Sequence, residues 1–283
     1  MGVLVAKRYP TKLALGLADH TYVECTEGKG WSCWGGKTGG ATLRSALGST
    51  RRADAIAEAD ERARITCYAI NGVCHQSANR VLWPARITVR GARGYKLSEA
   101  IYGPYGRFRG PLGFCKAPFD RRPQINGDLP ECMFKVAARP EAEVEDDSLY
   151  LEQAMDLYEK YGPVAAMADG DDALIDLHVQ LFLLLGRREL GPKRAGALAE
   201  AVGIRADEER ERIEIERAFA ERKLSVEAFV TAVNDLTDRF QDRLAKDMAP
   251  QDYSLLLGLL PGDKVRLVDP EIAKEAYPRG APG

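Results

Sequence analysis

Histidine is scarce in this chain: His20, His75 and His178 are the whole supply in 283 residues. Any chemistry that needs an imidazole base has only these to draw on. No two cysteines form a C-x-x-C pair and no close histidine pair follows them, so the metal-ligand spacings of a zinc site are absent. No apolar run is long enough to span a bilayer, and the first residues lack the apolar core of a secretory leader. Charge of one sign is also lacking. The net charge is −2, so the whole molecule has no strong pull toward nucleic acid or a membrane. Six cysteines are present, but a chain of this length buries a core without needing disulfides. The expectation is a cytoplasmic protein with reduced thiols, no membrane contact, and neither metal nor cofactor.

What is present divides the chain in two. Residues 12 to 25 alternate and end in Thr21-Tyr22-Val23-Glu24-Cys25, a β-type run, with Glu27-Gly28-Lys29-Gly30 as a hairpin turn and Trp31 to Trp34 as the returning strand. The spacing predicts a helix over 52–64, and alternation predicts a strand over Ala85–Arg90. An acidic, proline-bearing stretch from Arg139 to Asp147 marks a linker. Beyond it the pattern is helical. Ser148 opens a helix stopped at Gly162-Pro163, and Asp171 or Asp172 opens one so apolar that it belongs at the centre of a bundle. Further helices are expected over 193–202 and 207–223. Another is capped by Ser225, and 264–268 reads as a short strand. The fold class expected is α+β, with a catalytic domain over 1–138 followed by an all-α accessory domain over 148–283.

The stretch that carries chemistry runs from Ile70 to Leu82. Asn71-Gly72 is a turn dipeptide, and Ala78, Val81 and Leu82 are spaced for one buried helix face. Cys74 therefore falls at a helix start. There the unpaired N–H groups and the positive end of the helix dipole favour a thiolate and suit an oxyanion. His75 is adjacent, but neighbours on a helix point about 100° apart. His178 lies within the most apolar helix and reads as a satisfied core residue. His20 opens a strand in the same half of the chain as Cys74, where it could share a proton with the sulfur. A third polar group is open between Gln76 and Asn79.

A cysteine opening a helix, with a histidine on a sheet strand, resembles the papain-like arrangement. The order, His20 before Cys74, resembles the permuted branch of the NlpC/P60 superfamily. The run Gly72-Val73-Cys74-His75-Gln76-Ser77-Ala78, with Pro84-Ala85-Arg86 and Gly94-Tyr95 after it, also resembles the core of transglutaminase-like proteins. These resemblances imply a papain-like core, with the cysteine helix packed on an antiparallel sheet. They also imply hydrolysis or transfer at an amide or thioester carbonyl of a peptide or protein substrate.

Two other stretches stand out. Trp31-Ser32-Cys33-Trp34 leads into Gly35-Gly36-Lys37-Thr38, but Trp31 occupies the place where a phosphate loop needs glycine. The alternative is a loop beside the active site, with Trp31 or Trp34 packing on substrate. The segment 80–122 interleaves arginines and lysines with tyrosines and phenylalanines, a composition suited to polyanions. The near-neutral total favours the other reading, that these cations neutralise acidic groups elsewhere in the chain.

Overall fold

A computed structural model describes residues 2–11, 18–32, 40–62, 67–107, 147–167 and 169–280. Its first element is β1 (Gly2–Pro10), where the period of two turns Leu4 and Ala6 inward and leaves Val3, Val5 and Lys7 half-buried. β2 (Asp19–Cys25) pairs antiparallel with one side of β1, and β4 (Ala41–Gly48) pairs antiparallel with the other. The short β3 (Gly30–Trp31) extends the sheet past β2, in the order β3-β2-β1-β4. Gly28 turns that hairpin at a φ of +83°, a conformation open to a residue without Cβ.

Register decides which side chains share a face. Leu4 stands opposite Cys25, Ala6 opposite Val23 and Arg8 opposite Thr21. Leu4, Ala6, Val23 and Cys25 pack with Ala53 of α1 (Thr50–Arg62) and with Ala78, Val81 and Leu82 of α2 (Cys74–Leu82). A buried two-pronged ion pair, Arg80 Nε and Nη2 to Asp60 at 2.7 and 2.5 Å, fastens α2 to α1. Alternation sends Val5, Lys7, Tyr9, His20, Tyr22 and Glu24 to the other face.

The other long regular elements of the described chain are helices. α3 (Tyr95–Tyr102) is followed by α4 (Ser148–Ala165), α5 (Asp171–Leu190), α6 (Ala195–Ala220), α7 (Val226–Asp247), α8 (Pro250–Leu257) and α9 (Pro270–Ala276). The class is α+β. As its composition requires, α5 lies innermost, packed against α3, α4, α6 and α8. Ser225 caps α7, its Oγ accepting the Ala228 N–H. Among the described residues no helix is long and apolar enough to cross a membrane.

Several expectations are corrected. Ala85–Arg90 is not a strand: it leaves a 3₁₀ turn over Trp83–Ala85 and runs on irregularly, and the Val89 N–H finds the Asn79 side-chain carbonyl at 2.8 Å instead of a neighbouring strand. Residues 264–268 are likewise extended without a sheet. The two helices expected over 193–202 and 207–223 are one, α6, because Gly203 sits inside it without breaking its backbone bonds. Pro163 lies within the last turn of α4 rather than beyond it. Of the expected linker only Asp147 is described; it is buried and takes Arg44 and Arg90 at 3.0 and 2.8 Å. The larger apolar cluster spans the expected boundary, joining Tyr68, Leu97, Ile101, Tyr102 and Tyr105 to Leu177, Leu181, Phe182 and Phe240.

Candidate active site around Cys74

The turn Cys67–Val73 delivers Cys74 to the first position of α2. Val73 caps the helix in extended conformation, and the Gln76 side chain reaches back to accept the Val73 N–H at 3.1 Å. The donors that act on the sulfur are the N–H groups of Cys74 and His75 and the N–H and hydroxyl of Thr21 on β2, the hydroxyl stopping short of a formed hydrogen bond. The residue keeps part of its surface open to solvent, yet its sulfur is hemmed in closely enough that burial pushes the thiol pKa up. The surrounding donors, which favour thiolate, offset burial only in part. At rest Cys74 is a thiol. Thr21 is 1% exposed, and its hydroxyl makes no formed hydrogen bond among the described residues.

His75 points away from that sulfur into the fold. Its Nδ1 lies 2.8 Å from Ser98 Oγ, and its Nε2 lies 3.0 Å from the Asp19 carbonyl. Burial pushes its pKa down to about 4, so the ring is neutral near pH 7 and carries a single proton. A carbonyl can only accept, so that proton belongs on Nε2, and the one hydrogen of the Ser98 hydroxyl is contested between Nδ1 and the Tyr95 carbonyl, each 2.8 Å from Oγ. Neither nitrogen is left to serve the sulfur. The Asp19 carboxylate is anchored in turn. Burial would raise its pKa, but the Arg93 side chain and N–H, together with Arg8, hold it below the usual range.

His20 lies at the start of β2 among aromatic rings, 4.8 Å from Tyr9 and 6.3 Å from Tyr22 between centroids, with Ser32 Oγ 3.5 Å from its Nε2. Strand alternation aims it at the sheet face opposite Thr21, the residue Cys74 touches. It is still near enough to the cysteine helix that a charge on its ring opposes one on His75. The structure thus brings Cys74 to Thr21, and His20 to the Tyr9–Tyr22 face.

Gln76 and Asn79 are buried and fully occupied. The Gln76 amide nitrogen donates to Ser98 Oγ and the Gly103 carbonyl, at 3.3 and 3.2 Å. Asn79 donates to Tyr95 Oη and to the Pro104 carbonyl, at 3.1 and 2.7 Å. Both tie α2 to α3 and the turn after it. Trp31 pairs across from Val23, two residues and roughly 7 Å along β2 from Thr21. Its indole N–H donates to Asp54 at 3.0 Å, and with Lys29, Glu24 and Cys25 it lines an open cleft. Trp34 lies outside the described residues. His178 is buried as expected but not satisfied: among the described residues neither ring nitrogen has a hydrogen-bond partner.

From Arg80 to Arg107 the cations of the basic segment are engaged in ion pairs. Arg86 meets Glu152, Arg90 meets Asp147 and Glu189, Arg93 meets Asp19, and Lys96 meets Glu189. The part of the segment beyond Arg107 lies outside the described residues. Among the described residues no group of three histidines, cysteines or carboxylates is placed to hold a metal ion.

No family model matches the chain, and neither a curated protein nor a solved structure matches it.

Proposed function

We propose that this chain is a cysteine-dependent hydrolase of peptide or amide bonds, with Cys74 as nucleophile and His20, which faces the other side of the sheet, as proton acceptor by way of water at the edge of β2. The observation that carries the reading is the ring of donors around one partly open sulfur: the N–H groups of Cys74, His75 and Thr21, and the buried Thr21 hydroxyl. Such donors suit the negative charge that moves from sulfur to carbonyl oxygen during acyl transfer. The open cleft beside Trp31 lies on the same sheet face, in reach of an extended substrate.

In this reading the thiol proton leaves as the sulfur attacks, because the resting group is neutral. The S–C bond forms, and the proton passes through water to His20. The tetrahedral oxyanion is held by the N–H groups. The C–N bond breaks as His20 returns the proton to the departing amine. Water then cleaves the thioester, giving the acid and restoring the thiol. Cys74 itself is partly open to water, which favours hydrolysis over transfer to an amine. Gln76 and Asn79 serve as scaffold rather than as the group that orients the imidazole.

The test separates nucleophile from base. Cys74→Ala is expected to abolish release of amine from a peptide library while leaving the far-UV spectrum unchanged. His20→Ala is expected to lower turnover by at least about 100-fold, the usual worth of a general base, while Cys74 is still alkylated by iodoacetamide. Full turnover in Cys74→Ala would remove the reading altogether. Full turnover in His20→Ala would leave the nucleophile and dismiss the base.

A further inference from the structure

The turn that delivers Cys74 closes three backbone bonds of its own, Ala69 N–H to the Gly72 carbonyl and the Ile70 and Asn71 N–H groups to the Cys67 carbonyl, and is fastened from outside as well. Ala69 sits in the left-handed region, at φ +66°, which a residue with a Cβ adopts at a cost of about 1 kcal/mol or more. Four successive carbonyls of the turn accept hydrogen bonds from elsewhere. Tyr68 accepts from Tyr277 Oη at 2.7 Å and Ala69 from Tyr102 Oη at 3.0 Å. Ile70 accepts from Arg107 Nη1 at 3.0 Å and Asn71 from the Arg107 N–H at 2.7 Å. Gly106 allows that approach, since a Cβ there would stand 2.5 Å from the Asn71 oxygen.

Arg107 is buried, and its guanidinium is fixed by α6. Nε and Nη2 donate to Glu209 at 2.9 and 2.5 Å, and Nη1 donates to Glu216. Glu209 also takes Arg205 at 2.7 Å, and Arg205 donates to Glu208 at 2.6 Å. Glu208 takes Arg212 Nε at 2.8 Å. Arg212 Nη1 then donates to Tyr102 Oη at 3.3 Å, the same hydroxyl that holds Ala69. The path leaves the turn through Arg107, follows α6, and returns to the turn through Tyr102. A buried ionic cluster of this kind rarely stabilises more than apolar packing of the same volume would. What it adds is a fixed geometry, and the geometry it fixes is the approach to Cys74.

We infer that Arg107 is a positioning residue for Cys74, holding the Ile70–Asn71 backbone that leads into the cysteine helix. The inference rests on Cys74 being the reactive group, but it concerns what sets that group in place. It also gives the helical part of the chain a role: α6 carries the frame from which the reactive turn hangs.

Two readouts test it on the full-length protein: backbone hydrogen exchange over residues 67–76, and the pH profile of Cys74 alkylation by iodoacetamide. Arg107→Lys keeps a cation for Glu209 but loses the fork. Tyr102→Phe keeps the ring and removes the donor to Ala69. Both are expected to speed exchange in the turn and, by admitting water to the sulfur, to raise the Cys74 alkylation rate near neutral pH about tenfold, the size of one pKa unit. Turnover is expected to fall at the same time. Tyr150→Phe, which loses a hydrogen bond to Glu99 in the same core without touching the turn, is expected to leave both readouts unchanged. Should Arg107→Lys fail to fold, Tyr102→Phe and Tyr277→Phe decide the matter. Exchange and alkylation profiles in these variants that superimpose on those of the unaltered chain would overturn the inference. Hydrogen exchange reports on the turn whether or not Cys74 is a nucleophile. Absence of turnover in the unaltered chain would therefore count against the hydrolase and not against Arg107.

Discussion

Burial acts on two adjacent residues in opposite chemical directions with the same result, a neutral group. It raises the Cys74 thiol and lowers the His75 imidazole. For His75 the consequence is measurable as stability. Its folded pKa, about 4, lies below the ordinary 6.5, so between those values the unfolded chain holds a proton that the folded chain refuses. The contribution is therefore fully present above pH 6.5 and is lost as pH falls toward 4, by about 3 kcal/mol at most. His178, also lowered by burial, works in the same direction. Glu99, raised by burial, works in the other, losing stability as pH rises through its folded pKa. His75→Gln isolates one titration, because an amide can still donate to the Asp19 carbonyl and accept from Ser98. In urea unfolding at pH 7.5 and 4.5, the drop in unfolding free energy is expected to be about 2 to 3 kcal/mol smaller in His75→Gln than in the unaltered chain. Equal drops would mean that the ring titrates normally in the fold.

Elements whose bonds stay within themselves were the readable ones. The start of α2 after Asn71-Gly72, the cap of α7 at Ser225 and the central place of α5 all follow from local spacing. The inward pair of β1, Leu4 and Ala6, alternates in the same way, although no strand is expected there from the sequence. The segments at 85–90 and 264–268 misled because alternation reports one buried side and says nothing about what meets the backbone. At the second segment the partners are side-chain amides of α7. Gln241 accepts the Val265 N–H and donates to the Val265 carbonyl at 3.2 Å in each direction, and Asn234 does the same for Val268 at 3.2 and 2.9 Å. Two amides seven residues apart on one helix thus stand in for a neighbouring strand. Asn234→Ala leaves a buried N–H and a buried carbonyl without partners, and is expected to cost about 2 to 4 kcal/mol in denaturant unfolding. Asp235→Ala, on the exposed side of the same turn, is expected to cost less than about 0.5 kcal/mol. Similar losses in the two variants would show that the amides are idle. The candidate site was legible to the same degree. The placement of Cys74 is local, whereas Arg107 reaches Glu209 and Glu216 across 102 and 109 residues, a distance no local pattern records.

At the scale of the whole chain, the apolar core and the ionic cluster both join residues before 108 to residues after 146. Leu97, Ile101, Tyr102 and Tyr105 pack among the helices α4 to α8, Lys96 donates to the Leu255 carbonyl at 2.7 Å, and Arg90 and Lys96 share Glu189. The helical part taken alone would lose that apolar cover. It would also retain Glu209 and Glu216, which face Arg107 in the fold, and stripping one partner from a buried ion pair costs about 3 to 5 kcal/mol. That is a large share of the 5 to 15 kcal/mol, roughly, that holds an ordinary domain together. A fragment spanning 148–283 is therefore expected to keep helical far-UV dichroism while binding the dye ANS and melting without a sharp transition, the behaviour of a collapsed chain without fixed packing. The full chain is expected to unfold in one step, with tryptophan fluorescence and far-UV dichroism coinciding, because Trp83 shares the cluster that contains Phe182 and Phe240. A fragment that melted sharply and bound no dye would show that the helices carry a complete core of their own, and the first hundred residues would then be a separate unit resting on it.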